Sequence, residues 1–277
     1  MRMLGSRGGG GLNERDMVQV KHEKPRGVLH ARSADGLRRY WPSADLAPFI
    51  EHYWIVRWDV AEPVTAETLP HPSVHMVLGH GPPEIVGVMR GRFTTTLAGA
   101  GRVIGTKFRP GAFRAFLDRP VSSLSNRRTP LRDVFGAASS GFAAAALAEE
   151  DDVRSIAIIE SFLRSRQPVF DASIELARTI AARIAEEREL TRVEQVAELC
   201  AMNVRQLQRL FREYVGVTPK WVIQRYRLIE AAERLSAGAG ELAALAHELG
   251  YADQAHFIRD FKRIVGQTPA QYVRGLR

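Results

Sequence analysis

Cysteine is almost absent from this 277-residue chain, and so is any long apolar run. The single cysteine, Cys200, excludes an internal disulfide framework and fits a reducing compartment. No apolar segment approaches the roughly 18–20 residues that a membrane-spanning helix needs. The start of the chain, MRMLGSRGGGGLNERD, lacks the apolar core of a secretory signal. These absences predict a cytoplasmic protein without a membrane segment.

Basic residues, by contrast, are in excess. The chain has 39 Lys and Arg against 31 Asp and Glu, a formal net charge of +8, and such a balance favours polyanionic partners. Residues 191–277 hold 13 Lys and Arg against 9 Asp and Glu, so the local excess is modest. The placement of the basic side chains must therefore decide whether they bind a nucleic acid.

The first half of the chain predicts a tail and then a β-rich domain. Residues 1–34 include a run of glycines and predict a flexible tail. Over residues 35–140, short runs separated by Pro and Gly predict strands of a barrel or sandwich. RFTTTLAG and GRVIGTKFRPG are predicted as separate strands. Glycines 99, 101 and 105 are interpreted as turn residues. The run HYWIVRWDV alternates, which predicts one face with Tyr53, Ile55 and Arg57 and another with Trp54, Val56 and Trp58.

Residues 141–188 predict a helical connector. Apolar residues recur there at helical spacing in two segments, and Asp171 is a candidate N-cap of the second. The two apolar faces comprise Val153, Ile156, Ile159, Phe162 and Leu163, then Ile174, Ala177, Ile180, Ala181 and Ile184. They either pack within the chain or pair between two copies of it, and the sequence leaves both alternatives open.

Two similar stretches, RLFREYVGVTPKW and RDFKRIVGQTPAQ, repeat at an offset of 50 residues. Each predicts a helix capped at its start by a side-chain oxygen, from Asn203 or Asp253. Each helix is predicted to end at a glycine in left-handed backbone, Gly216 or Gly266. A Thr-Pro pair then begins the next helix.

A shorter helix precedes each repeat, and the first is predicted to begin with a capping box formed by Thr191 and Glu194. Short helix, tight turn and capped helix form the helix-turn-helix plan. Two such units, joined by a helix from about Pro219 to Ser236, can enter DNA grooves roughly 34 Å apart. Residues 189–277 therefore predict a double helix-turn-helix DNA-binding domain.

The exposed sides of the two second helices supply candidate DNA contacts. Arg grips guanine and Gln grips adenine through paired hydrogen bonds. The predicted base-contacting residues are Arg205, Gln206, Gln208, Arg209, Gln254, Ala255, Ile258 and Arg259. Phosphate contacts position a protein without reading sequence, and they are predicted for Arg212, Lys220, Lys262 and Arg263. Arg209 and Arg259 have a second interpretation, as phosphate clamps or salt-bridge partners.

Residues 191–274 resemble the DNA-binding domain of the AraC/XylS family of transcription regulators. The resemblance depends on YADQAHFIRDFKRIVGQTPAQY and on Arg227 and Ala231 in the linking helix. Trp221-Val222 departs from the acidic and aromatic residues usual there. The resemblance implies a bacterial regulator that binds double-stranded promoter DNA, commonly an activator acting with RNA polymerase.

HYWIVRWD, LPHPSVHMVLGHG and GTKFRPGAFRAFL resemble a subgroup of that family with a domain of uncharacterised function in front. This domain is similar to the family's cupin-like sensor. The implied fold class is α+β: a β-rich cupin-like N-terminal domain, a helical connector and an all-α double helix-turn-helix domain. The resemblance also implies a small-molecule effector or a homodimer, without identifying the ligand.

A ligand site in the N-terminal half is a weaker prediction. Four residues are candidates, with turn structure or packing as the alternative: Lys107, Arg109, Trp54 and Trp58. No cofactor is predicted, and no metal site either. His71, His75 and His80 lack the His-x-His spacing of cupin metal sites.

Enzymatic activity is not predicted. No cysteine precedes position 200, which excludes the alkyl-transfer chemistry that accompanies some AraC-type modules, and acidic residues are sparse between residues 64 and 132. The alternative to a ligand-sensing regulator is one that depends on a protein partner and has no small-molecule ligand.

Overall fold

The structure is a computed structural model that describes residues 28–30, 36–238 and 241–275. The predicted flexible tail, residues 1–34, lies outside the described residues except for three. Those three, Val28–His30, form a strand that pairs with residues 67 and 68, so the prediction of a tail does not hold for them.

The described part of the first half forms a seven-stranded antiparallel sheet, which confirms the β-rich prediction. Its strand order is β1-β3-β6-β4-β5-β7, and β2 also pairs with β3. The likeness to a cupin stays a prediction. The strands are β1 (Val28–His30), β2 (Leu37–Tyr40), β3 (Ile50–Thr68), β4 (His75–Gly79), β5 (Gly81–Val86), β6 (Phe93–Phe108) and β7 (Arg128–Pro130).

Strand β6 corrects the prediction of two separate strands between residues 92 and 111. It is a single strand of 16 residues, because β3, with 19 residues, pairs with it from Phe108 back to Phe93. A bulge between Val60 and Val64 accommodates the glycine-rich middle of β6 without ending the pairing.

Two tryptophans cover glycines on the neighbouring strand. Trp54 lies opposite Gly105 and Trp58 lies opposite Gly101. A Cβ atom at Gly105 would lie 1.9 Å from the Trp54 indole, and one at Gly101 would lie 2.2 Å from that of Trp58. Gly101 and Gly105 are therefore strand residues that leave room for an indole, and their interpretation as turn glycines is wrong.

The other face of the sheet packs against helices α1 (Leu131–Phe135), α2 (Ser139–Ala148), α3 (Asp152–Ser165) and α4 (Ala172–Glu186). The predicted apolar faces of α3 and α4 lie in the core of the same chain, with Val153 at its edge. The alternative that these faces pair between two chains is thus not what the structure shows. Asp171 caps α4, as predicted, by accepting from the Ile174 amide at 2.7 Å.

A buried carboxylate attaches α3 to the sheet. Asp152 accepts hydrogen bonds from Arg57 at 2.6 Å, Arg102 at 2.8 Å and the Tyr40 hydroxyl at 2.8 Å. A charge this well buried is stable only when paired, so the network fixes the start of the helical layer.

The remaining helices are α5 (Val193–Leu199), α6 (Val204–Leu210), α7 (Pro219–Ser236), α8 (Leu242–Glu248), α9 (Gln254–Val265) and α10 (Pro269–Gly275). A π-helical segment, Phe211–Val215, continues α6.

The capping box predicted at the start of α5, with Thr191 and Glu194, is wrong by one residue. Because α5 begins at Val193, Gln195 reaches back instead and accepts from the amides of Thr191 and Arg192, at 3.1 and 2.9 Å.

Two clusters of buried side chains hold these layers together. The first joins the sheet, α1–α4 and the first helix-turn-helix unit, and includes Leu207 and Phe211. The second joins α7–α10 around Phe257 and Phe261. It also includes Leu69, which follows β3, so the sheet contributes to the core of the second unit.

None of the helices in the described ranges combines the length and the apolarity that a membrane span requires.

Candidate DNA-binding surface

The two candidate recognition helices are equivalent in length and position. The first recognition helix comprises α6 with its π-helical continuation, residues 204–215, and the second is α9, residues 254–265. Their starting residues are 50 positions apart, like the repeats in the sequence. The repeat therefore encodes a repeated structural element.

Both recognition helices are capped as predicted. The Asn203 side chain accepts from the Gln206 amide at 2.9 Å, and the Asp253 side chain accepts from the His256 amide at 2.6 Å. The helices end at glycines in left-handed backbone, with φ of 93° at Gly216 and 87° at Gly266. These signals fix both ends of each helix.

Four candidate contacts on the first recognition helix are exposed and without partners. Leu207 and Phe211 are fully buried, so the opposite side of the helix faces solvent. On that side, and within the described ranges, the side chains of Arg205, Gln208, Arg209 and Arg212 make no hydrogen bond or ion pair. Donors that are free in this way can bond to DNA without first breaking a protein contact.

Gln206 completes a capping box with Asn203, which the spacing of the two residues predicts, in addition to being a candidate base contact. Its side-chain oxygen accepts from the Asn203 amide at 2.9 Å, which completes the capping box. A bidentate contact with adenine needs both the oxygen and the nitrogen of the amide. A base contact by Gln206 would therefore compete with this cap, and it stays a prediction.

The second recognition helix exposes fewer candidates. Gln254, Ala255 and Arg259 are exposed. Ile258 is half-buried and packs against the second core cluster, so its side chain is partly committed to the interior. Arg259 is thus the one predicted basic base contact on this helix, and it has no ion-pair partner among the described residues.

The predicted phosphate contacts also differ among themselves. Lys220, on the first turn of α7, and Lys262 on α9 are exposed, and no carboxylate in the described ranges pairs with either. Arg263 is exposed but forms an ion pair with Asp260 at 3.0 Å. Its contact with phosphate would compete with this pair.

Helix α7 connects the two units and is anchored by two buried arginines. Arg227 donates to the carbonyl oxygen of Glu187 at 2.6 Å and pairs with Glu230 at 3.2 Å. Arg225 donates to the carbonyl oxygen of Arg90 at 2.6 Å and stacks on Trp221 of the same helix, with 4.7 Å between the guanidinium carbon and the ring centroid. Burial, with a smaller effect from Arg263, lowers the pKa of Arg225 to about 10. These contacts restrict the orientation of α7 and hence of the units that it joins.

The N-terminal domain holds both units next to equivalent glycines. The Ser125 hydroxyl donates to the carbonyl oxygen of Gly216 at 2.5 Å. Arg92 donates to the carbonyl oxygen of Val265 at 3.4 Å, pairs with Glu67 at 3.0 Å and lies against Gly266. We call these two contacts the glycine clamps. They join residues 91 and 173 positions apart, which is why no local sequence pattern predicted them.

The four predicted ligand contacts are engaged with other parts of the protein. Lys107 is buried and pairs with Glu51 at 2.7 Å, and Arg109 donates to the carbonyl oxygen of Ala47 at 2.8 Å. Besides covering glycines, Trp54 donates to His75 at 3.3 Å and Trp58 to the carbonyl oxygen of Ala98 at 3.2 Å. Ligand binding by these residues stays a prediction. No group of three potential metal ligands is close enough to hold an ion in the described part of the chain.

Fold and surface together define a protein with a β-rich N-terminal domain and a double helix-turn-helix C-terminal domain. Residues 196–275 match the family described as "Helix-turn-helix domain", and residues 38–130 match "Domain of unknown function (DUF6597)". The C-terminal part is thus an AraC-type helix-turn-helix domain behind a DUF6597 domain, as the resemblance implied.

Curated relatives match a stretch of 74 to 80 residues of this chain. An uncharacterized HTH-type transcriptional regulator of Haemophilus influenzae is 35% identical over 80 residues, which are 29% of this chain and 27% of the relative. The HTH-type transcriptional activator RhaS of Pectobacterium carotovorum is 31% identical over 74 residues, 27% of this chain and 26% of that protein. The chain thus spans about a quarter of the length of each.

Among solved structures, the C-terminal domain of AraT, a response regulator from Geobacillus stearothermophilus, is 26% identical. The match covers 35% of this chain and 83% of that one, with a TM-score of 0.34.

Proposed function

We propose that this protein is a sequence-specific transcription regulator that binds double-stranded promoter DNA through two recognition helices. The observation that carries the proposal is the pair of equivalent capped helices joined by one anchored helix. Each of the two carries an exposed arginine that has no partner among the described residues. At about 1.5 Å per residue, the 18 residues of α7 span about 27 Å. This length is comparable with the roughly 34 Å between successive turns of one groove.

Regulation of transcription is supported by relatives described as a transcriptional regulator and a transcriptional activator. Activation with RNA polymerase as partner is the simplest form of it and belongs to this proposal. So does the division into residues 1–34, 35–140, 141–188 and 189–277, with the second segment as the sensory domain. A homodimer would need a surface other than the apolar faces of α3 and α4, since those are buried in the chain. Two units in one chain allow a monomer to read an asymmetric site.

The test begins with selection of bound sequences from random double-stranded DNA, followed by fluorescence anisotropy on the selected site. Arg209→Ala should cost about 1–3 kcal/mol of specific affinity and relax discrimination at one base pair. Arg132→Ala is a matched control, because the Arg132 side chain is 75% exposed and lies outside the candidate surface. Equal affinity and equal specificity of Arg209→Ala and wild type would show that Arg209 does not read a base.

Lys220→Ala tests the electrostatic part of the surface. Removal of one phosphate contact should weaken binding to all sequences alike and reduce the slope of log K against log salt by about 1. An unchanged slope would place Lys220 away from the DNA backbone. Failure to enrich any sequence in the selection would contradict the proposed function itself.

A further inference from the structure

A cavity lies between the N-terminal domain and the first recognition helix. Its volume is about 510 Å³, within the roughly 300–1,000 Å³ of small-molecule sites. Its walls come from a 3-10 helix after β6 (Ala112–Phe116) and the two residues that follow it, from α1, from the connection between α3 and α4 with the first turn of α4, and from the π-helical segment that continues α6. None of the four predicted ligand residues lines this cavity.

The exposed surface of this cavity is more polar than apolar, and it carries one cation that has no carboxylate partner among the described residues. Val134, Phe135 and Tyr214 contribute apolar and aromatic surface. Arg166, at the end of α3, is fixed over the ring of Phe162 at 4.8 Å. Arg166 is exposed, and no carboxylate in the described part of the chain forms an ion pair with it. A guanidinium in this position can bind an anionic group bidentately.

The two carboxylates on the rim leave this cation available. Asp171 caps α4 by accepting from the Ile174 amide at 2.7 Å. The Asp118 side chain is 90% exposed and lies 4.0 Å from Arg119. Neither one neutralises Arg166. We propose that the cavity binds a small organic anion, with a carboxylate or sulfonate on Arg166 and an apolar body against the aromatic walls.

The same cavity is in direct contact with the DNA-binding domain. Arg114, which also lines it, pairs with Glu213 at 2.9 Å, and Tyr214 is the next residue of the π-helical segment. π-Helical segments are rare and frequently mark functional sites. Occupancy of the cavity is therefore coupled to the C-terminal end of the first recognition helix, a step that rests on the proposed function.

The binding test uses two probes of the same shape, naphthalene-1-sulfonate and the neutral naphthalene-1-sulfonamide, measured by calorimetry without DNA. Arg166→Gln should weaken binding of the sulfonate about tenfold or more, because one charge-assisted contact is lost, and leave the sulfonamide unaffected. Val169→Glu places a negative charge at a 73% exposed wall position and should have the same selective effect. Arg154→Gln, an exposed arginine of α3 outside the cavity, should change neither.

Two results would overturn the site: no saturable binding of the sulfonate to the wild-type protein, or equal binding to wild type and Arg166→Gln. The coupling has its own readout. Saturating naphthalene-1-sulfonate should slow hydrogen exchange of the amides of residues 211–215, and unchanged exchange there would refute the coupling. Since neither measurement includes DNA, failure of the site is distinguishable from failure of the proposed function.

Discussion

On the sheet, the packing of one tryptophan on the neighbouring strand requires a glycine opposite it. Trp54 covers Gly105 so closely that any Cβ atom there would overlap the indole. Gly105→Ala should therefore lower the free energy of unfolding by about 1–3 kcal/mol, the usual cost of overpacking. Urea denaturation measures this change. Gly141→Ala is the control, because Gly141 lies in α2 with open space around it. Equal destabilisation by the two substitutions would refute the role of the indole.

Two histidines beside Lys107 make stability depend on pH. Burial, then the charge of Lys107, lowers the pKa of both His52 and His75 to about 3 from an ordinary value of 6.5. The unfolded chain therefore takes up protons near pH 6.5, whereas the folded protein does so near pH 3. The free energy of unfolding should fall as the pH drops through this window, by up to about 1.4 kcal/mol per pH unit for each histidine.

Urea denaturation between pH 7.5 and 5 tests this sign. The double variant His52→Gln, His75→Gln should lose this part of the pH dependence, and the His52→Gln single variant about half of it. A double variant with the same pH dependence as the wild type would contradict the assignment to these two residues.

At the scale of elements, the capping signals determine where the recognition helices begin. Asn203→Ala removes the acceptor for the Gln206 amide and should cost about 1 kcal/mol of stability, measured by thermal unfolding. Asn203→Asp keeps a side-chain oxygen in the same place and should restore most of the loss. If the aspartate variant is as unstable as the alanine variant, the cap is not the cause.

Elements with a strong local signal were predictable, and those set by distant partners were not. The helical periods of α3 and α4, and the caps at Asp171, Asn203 and Asp253, were predicted and are confirmed. The continuity of β6 was missed, because its length depends on β3, which begins more than 40 residues earlier. The capping box of α5 was displaced by one residue, an error that local pattern alone cannot correct when Glu194 and Gln195 are adjacent.

Candidate DNA contacts were predicted from spacing, and the structure sorts them by what else each side chain does. Arg209 has no partner in the part of the chain that the structure describes, the Gln206 oxygen takes part in a cap, and Arg263 pairs with Asp260. These distinctions depend on which oxygen a side chain reaches. The sequence pattern predicts which side chains lie on the exposed face of a helix. Which of them already bind another group of the protein depends on the three-dimensional structure.

At the scale of the whole molecule, the glycine clamps attach the N-terminal domain to both units. Arg92→Ala removes the pair with Glu67 and the bond to Val265. Hydrogen exchange in α8–α10 should increase by about two- to fivefold, the range expected for a partly exposed ion pair, while α5 and α6 keep wild-type rates. Arg132→Ala, which removes an exposed pair with neighbouring Asp133, should change neither region. A uniform increase throughout the chain would indicate general destabilisation instead.

The central claim is that the two recognition helices occupy the major groove on successive turns of one duplex. Protection of guanine N7 from dimethyl sulfate on the selected site reads the major groove directly. We expect two protected blocks about 10–10.5 base pairs apart, with Arg209→Ala weakening one block and Arg259→Ala weakening the other. Protection confined to a single turn, or both blocks unchanged in the two variants, would contradict the claim.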